Sequence, residues 1–149
     1  MKLMFGSFTH NIDAKNRLFI PASFRDCLGA EFIVVRSTQN PCLLLYSMDE
    51  FQNYLKRYEK LDDDTRDDMY RFLYMDALGG ETDAQGRITL SKGMMAYAGL
   101  EKGAVINGCG QYAEIWSPEV LQQKMQEFNP KEVNAQARQF NRSPAGRSS

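Results

Sequence analysis

The chain has 149 residues, 43% of them hydrophobic and 25% charged, with a formal net charge of −1 and a pI near 5.9. That length suits one domain or two very small ones, and the near-neutral balance excludes a protein that coats nucleic acid through its global charge, while leaving room for a local basic patch. Cys27, Cys42 and Cys109 lack paired spacing, which speaks against a disulfide framework and for a reducing compartment, and no apolar run approaches the length of a bilayer.

In chain order, residues 1–6 are too short in their apolar run for a secretory signal. Residues 5–12 read as a first strand. Asp13-Ala14-Lys15-Asn16-Arg17 is a tight acidic-to-basic turn, because an Asp at its head can accept backbone amides two residues on. Leu18-Phe19-Ile20 is a short strand halted by Pro21, which cannot donate to a ladder. Residues 21–28 hold one or two helical turns, with Pro21 at the first helical position, Phe24 and Leu28 on one face, and Gly29 as the stop. Phe32-Ile33-Val34-Val35 and Cys42-Leu43-Leu44-Leu45-Tyr46 flank a turn cluster and form a hairpin. Ser47 and Glu50 make a capping box for a helix with Phe51, Tyr54, Leu55 and Tyr58 on one face. Residues 61–75 form a structured helical connector, with Asp62, Asp63, Asp64, Asp67 and Asp68 near its N-terminus.

The elements then recur. Residues 75–82 are a weaker strand because of Gly79-Gly80, Asp83-Ala84-Gln85-Gly86-Arg87 is the second turn, and Ile88-Thr89-Leu90 the strand after it. Met94, Met95 and Ala98 face a helix stopped by Gly99, and residues 104–116 form a second hairpin. Ser117-Pro118-Glu119 starts a helix faced by Val120, Leu121, Met125 and Phe128. A weak helix follows Pro130 with Val133, Ala137 and Phe140, and residues 141–149 are expected to be disordered. Asp13 and Asp83, Gly29 and Gly99, and Tyr46 and Trp116 are each 70 residues apart. Two copies in step at both ends argue for a duplicated unit. The organisation expected is repeat 1 at 7–54, a helical connector at 55–76, repeat 2 at 77–124, and a C-terminal helix and tail at 125–149.

The two turns carry the chemistry. Lys15, Arg17 and Arg87 sit in or beside them, with Arg25 and Lys92 a little downstream. A short turn fixes a cation without ordering a long loop, and Arg can contact phosphate or grip guanine in a bidentate fork. The competing reading is that Asp13 with Arg17, and Asp83 with Arg87, merely close the turns. His10, the single histidine, has no metal-ligand or triad spacing around it. The twin aspartates could suggest an aspartic protease, but Ala14-Lys15 and Ala84-Gln85 are not the surroundings of that chemistry, which needs two carboxyls sharing a proton. No enzyme, metal or cofactor is indicated.

Asp-x-Lys-x-Arg followed by Leu-x-Ile-Pro, the segment Pro41-Cys42-Leu43-Leu44-Leu45-Tyr46, and a second Asp-x-x-Gly-Arg resemble the MraZ family over roughly residues 5–128. The resemblance implies an α+β, β-rich fold: tandem AbrB-like swapped-hairpin repeats in one pseudo-dimeric, β-barrel-like domain with flanking helices. It implies a cytoplasmic, nucleoid-associated transcriptional regulator that assembles into rings. Such a protein binds short direct repeats in double-stranded promoter DNA and represses the division and cell-wall gene cluster, its own operon included. Carried over, the DNA-binding residues are Lys15, Asn16 and Arg17 with Gln85, Gly86 and Arg87, and Asp13 and Asp83 shape the turns. Two departures stand out: Asn16 where the family usually has Gly, and Gln85 where the first turn has Lys15. The first repeat is therefore expected to contribute more to affinity. The alternative is an antitoxin-like protein-interaction module of the same fold that makes no DNA contact.

Overall fold

Strand pairing across the two halves dominates the architecture, described for residues 2–147 in a computed structural model. Among these residues there are eight strands and seven α-helices. The first half contributes β1 (Ser7–Asn11), β2 (Arg17–Phe19), α1 (Ala22–Leu28), β3 (Phe32–Arg36), β4 (Leu43–Ser47) and α2 (Met48–Leu55). A 3-10 turn and α3 (Asp63–Tyr74) lead to β5 (Leu78–Gly80), β6 (Arg87–Thr89), α4 (Lys92–Ala98), β7 (Gly103–Gly108) and β8 (Tyr112–Trp116). Helices α5 (Pro118–Gln126), α6 (Pro130–Arg142) and α7 (Pro144–Arg147) follow.

Six strands form an antiparallel sheet in the order β1-β7-β8-β4-β3-β5, and β2 pairs with β6 in a separate ladder. The sheet is open, with β1 and β5 at its edges, so the barrel-like closure expected from the resemblance does not occur. Only the hairpins β3–β4 and β7–β8 lie within a half; β1–β7, β2–β6, β3–β5 and β4–β8 each join one half to the other. In the β2–β6 ladder the central pair is Leu18 with Ile88, and in β4–β8 Leu44 lies opposite Glu114. Both pairs are residues 70 apart, so each ladder is centred on a residue and its own counterpart.

The repeat is not uniform. Phe32 pairs with Gly80, and the matching pair in the other half is Ala104 with His10, which puts β7 72 residues after β3. Two residues added between α4 and β7 are removed again in the hairpin, where Val35–Leu44 is matched by Asn107–Glu114. The shift is even, so every side chain stays on its face of the sheet.

The sheet is buried on both sides in its first half, which explains the unbroken apolar runs of β3 and β4. Phe32, Val34, Leu43 and Leu45 join Leu18, Ile20, Phe24, Ile88, Leu90 and Met94 in one core. Ile33, Val35, Leu44 and Tyr46 face the opposite core with Phe51, Tyr54, Leu73 and Trp116. Ser47 Oγ accepts the Glu50 amide at the start of α2, and the Asp62 carboxylate accepts the Thr65 amide at the start of α3.

Three expectations are corrected. Pro21 is the residue before α1, with ψ 141°, and its carbonyl accepts from the Phe24 and Arg25 amides; it does not occupy the first helical position. Ile20 holds it there, because the Ile20 amide is still tied to Gly86 O. On α5, Val120 and Leu121 pack inward, but Met125 and Phe128 are about half exposed and the helix buries no residue fully. The expected tail is helical where it is described: α6 runs to Arg142, then Ser143 and α7. Ser143 Oγ donates to Phe140 O and accepts the Gly146 amide across that junction. Ser148 and Ser149, the end of that tail, lie outside the described residues.

Candidate nucleic-acid interface

Each turn is built by its aspartate. Asp13 Oδ1 accepts the Lys15 and Arg17 amides at 2.9 Å each, and Oδ2 accepts Arg17 Nε at 2.6 Å. Asp83 repeats this with the Gln85 and Arg87 amides, again at 2.9 Å, and Arg87 Nε at 2.9 Å. The Asn16 amide donates to Asp13 O and the Gly86 amide to Asp83 O, closing the bends. Asn16 and Gly86 both take positive φ, 63° and 80°. Asn tolerates that region better than most residues, so the departure from Gly at position 16 leaves the turn intact.

The difference between Asn16 and Gly86 follows from their neighbours. A Cβ on Gly86 would stand 3.1 Å from the Phe19 ring and 2.9 Å from Arg25 Cζ. At the positions 70 residues on from Phe19 and Arg25 the chain has Thr89 and Met95. The first turn therefore meets a small and a pliant side chain where the second meets a ring and a guanidinium.

The β2–β6 ladder brings the turns together. Ile20 N donates to Gly86 O and Leu90 N to Asn16 O, so each bend is pinned to the strand leaving the other. Arg87 Nη1 lies 3.7 Å from Asp13 Oδ2, an ion pair between the halves. Lys15 and Gln85 are exposed at the tips, Arg17 and Arg87 are half-buried, and Gly86 is buried. Asn16 is also half-buried beside its bend. The structure thus collects all six residues expected at the interface, with Asp13 and Asp83 beneath them.

Both carboxylates are held below the usual carboxylate range. For Asp13 the Arg17 amide is the leading cause, opposed by partial desolvation and reinforced by the Arg17 side chain and the Lys15 amide. For Asp83 the Arg87 amide leads, opposed in the same way and joined by the Gln85 amide and the Arg87 side chain. Two carboxylates each satisfied by their own turn are poorly suited to share a proton as in an aspartic protease. His10 packs edge-on against Phe19 at 5.0 Å. Among the described residues no cluster of three or more His, Cys, Asp or Glu could hold a metal, and no helix is long and apolar enough to cross a membrane.

Sequence reasoning left Arg25 out of the site. Its Nε donates to Ile20 O at 3.0 Å and its guanidinium lies over the Phe19 ring, 5.5 Å from the centroid. Both contacts place it against the second turn although it belongs to the first half. Comparing residues 70 apart supplies a signal: Lys15 becomes Gln85 while Arg25 becomes Met95.

A duplicated Asp-clamped basic turn on a cross-repeat ladder is the pattern the resemblance rests on, and comparison with known proteins agrees. A family model described as "MraZ protein, putative antitoxin-like" matches residues 3–71 and again 73–143. The chain belongs to the MraZ family. It is similar to the transcriptional regulator MraZ of Thermomicrobium roseum, 42% identical over 78% of this chain and 83% of the relative. The transcriptional regulator MraZ of Limosilactobacillus reuteri is 43% identical over the same shares. That of Acetivibrio thermocellus is 38% identical over 76% of this chain and 80% of the relative. The two matched segments start 70 residues apart, the spacing of the two turns.

Proposed function

We propose that this chain is a cytoplasmic, nucleoid-associated transcriptional regulator that binds double-stranded DNA through its paired turns. The observation that carries this reading is the meeting of two Asp-clamped basic turns on one ladder, in a chain whose relatives are named transcriptional regulators. A two-stranded ribbon fits the major groove, and β2 with β6 is such a ribbon, flanked by Lys15, Arg17 and Arg87. Asn16, Gly86 and Gln85 set the shape and tips of the bends, and Asp13 and Asp83 aim the guanidinium groups. The finer reading is a repressor of the division and cell-wall gene cluster, its own operon included. The pseudo-dimeric pair of AbrB-like repeats, with units at 7–54 and 77–124, a connector at 55–76 and a C-terminal segment at 125–149, belongs to that reading. So does assembly into a ring on short direct repeats. With few cations per protomer, one site binds weakly, and several linked protomers raise avidity without new contacts. No reaction is assigned to the chain.

The test is binding to duplex DNA from upstream of the gene. Arg17→Ala is expected to weaken it by roughly tenfold to a hundredfold and to leave oligomer size unchanged. Wild-type affinity at moderate salt in this variant would refute the reading.

One observation favours the alternative, a partner-binding module without DNA contact. An open groove of about 410 Å³ runs between the sheet, α5 and α6, lined by Trp116, Leu121, Met125, Phe128 and Val133. A gel shift on promoter DNA with and without competitor separates the two readings.

A further inference from the structure

The cations at the turns are not equally free. Arg17 and Arg87 are each clamped by an aspartate, and Arg87 also faces Asp13. Those pairs leave each clamp close to neutral overall, which blunts its pull on a polyanion. Lys15 at the first turn is exposed, and among the described residues no carboxylate pairs with it. The second turn carries Gln85 there and would have no free cation of its own.

Arg25 stands in that place. Among the described residues it has no carboxylate partner, and its hydrogen bond is made through Nε alone. Nη1 and Nη2 are left to donate. Its position is fixed from three sides. Ile20 O accepts its Nε, the Phe19 ring supports its plane, and Gly86 lets it lie against the bend, where a Cβ would stand 2.9 Å from Cζ. Ile20 links the two, since its amide donates to Gly86 O while its carbonyl accepts from Arg25.

We propose that Arg25 is a phosphate-binding residue of the second turn, supplied by the first repeat, which takes the place of the cation that Gln85 lacks. Each turn then presents one Asp-clamped arginine and one free cation, Lys15 on the first and Arg25 on the second. The ligand group is a backbone phosphate of duplex DNA, because a fork of two free N–H groups suits its oxygens. The proposal rests on the DNA-binding reading above.

The test is the slope of log affinity against log salt, measured by fluorescence anisotropy with the same upstream duplex. The full chain is compared with Arg17→Ala, Arg25→Met, Arg25→Lys and the control Arg71→Met. Met is the residue the second half carries at this position, so the fold has already accommodated it there. Arg25→Met is expected to reduce the slope by about 0.9 and weaken binding about tenfold near physiological salt. Arg25→Lys restores most of the slope, and Arg71→Met leaves it unchanged. If Arg17→Ala binds weakly while Arg25→Met keeps the wild-type slope, the proposal falls and the DNA-binding reading stands. A slope lost in Arg25→Met and not restored by lysine also overturns it, since Arg25 would then serve only to pack the turn. If Arg17→Ala binds like wild type, the underlying reading falls instead.

Discussion

The two halves make the same bend from different residues. Both use an aspartate to gather two amides and an arginine Nε. They differ in the left-handed residue, Asn16 against Gly86, and in what packs on it, Thr89 and Met95 against Phe19 and Arg25. A duplicated turn therefore keeps its hydrogen bonds and exchanges its surroundings. The residue that must be glycine is decided by the opposite half.

That contrast can be broken at its pivot. Leu18 is fully buried and pairs with Ile88, its counterpart, at the centre of the β2–β6 ladder. Leu18→Ala is expected to cost about 2–5 kcal/mol, and amide exchange should show both turns loosening together. Protection retained at either turn alone would show that the halves hold their bends independently.

A smaller effect tests the asymmetry itself. Gly86→Asn places a side chain at φ 80° against Phe19 and Arg25, and is expected to cost about 1–3 kcal/mol in a denaturant melt. Asn16→Gly relieves a milder strain and should shift stability by about 0.5 kcal/mol or less in either direction. Equal costs at the two positions would mean that packing does not distinguish them.

The smallest effect is the response to acid, which should be shared. Both aspartates titrate lower in the folded chain than when unfolded. Their contribution to stability is complete above the unfolded value of about 3.9 and is lost as pH falls through the folded one. Carboxyl titration by NMR should give midpoints for Asp13 and Asp83 below those of exposed aspartates such as Asp64. A normal midpoint at either residue would show that its clamp is loose in solution.

Much of this was legible in the amino acids because it is local. The aspartate-headed turns, the caps at Ser47 and Ser117, and the apolar strands each carry their signal within a few residues. The shared spacing of 70 revealed the duplication. The open sheet was not legible, since closure depends on whether β1 and β5 meet. Nor was the two-residue transfer between the loops flanking β7, which only cross-strand register exposes. The exposure of Met125, Phe128, Val133 and Phe140 was hidden for a similar reason: an amphipathic pattern shows that a face is apolar and is silent on whether anything covers it. Arg25 lay outside the expected site because its neighbours, apart from Phe19 and Ile20, come from the other half.

Four of the six strand pairings run between the halves. Cutting the chain in the segment before α3 should therefore yield two pieces that are each incomplete yet remain clasped. Expressed separately, they would behave as a split protein, regaining structure only when mixed.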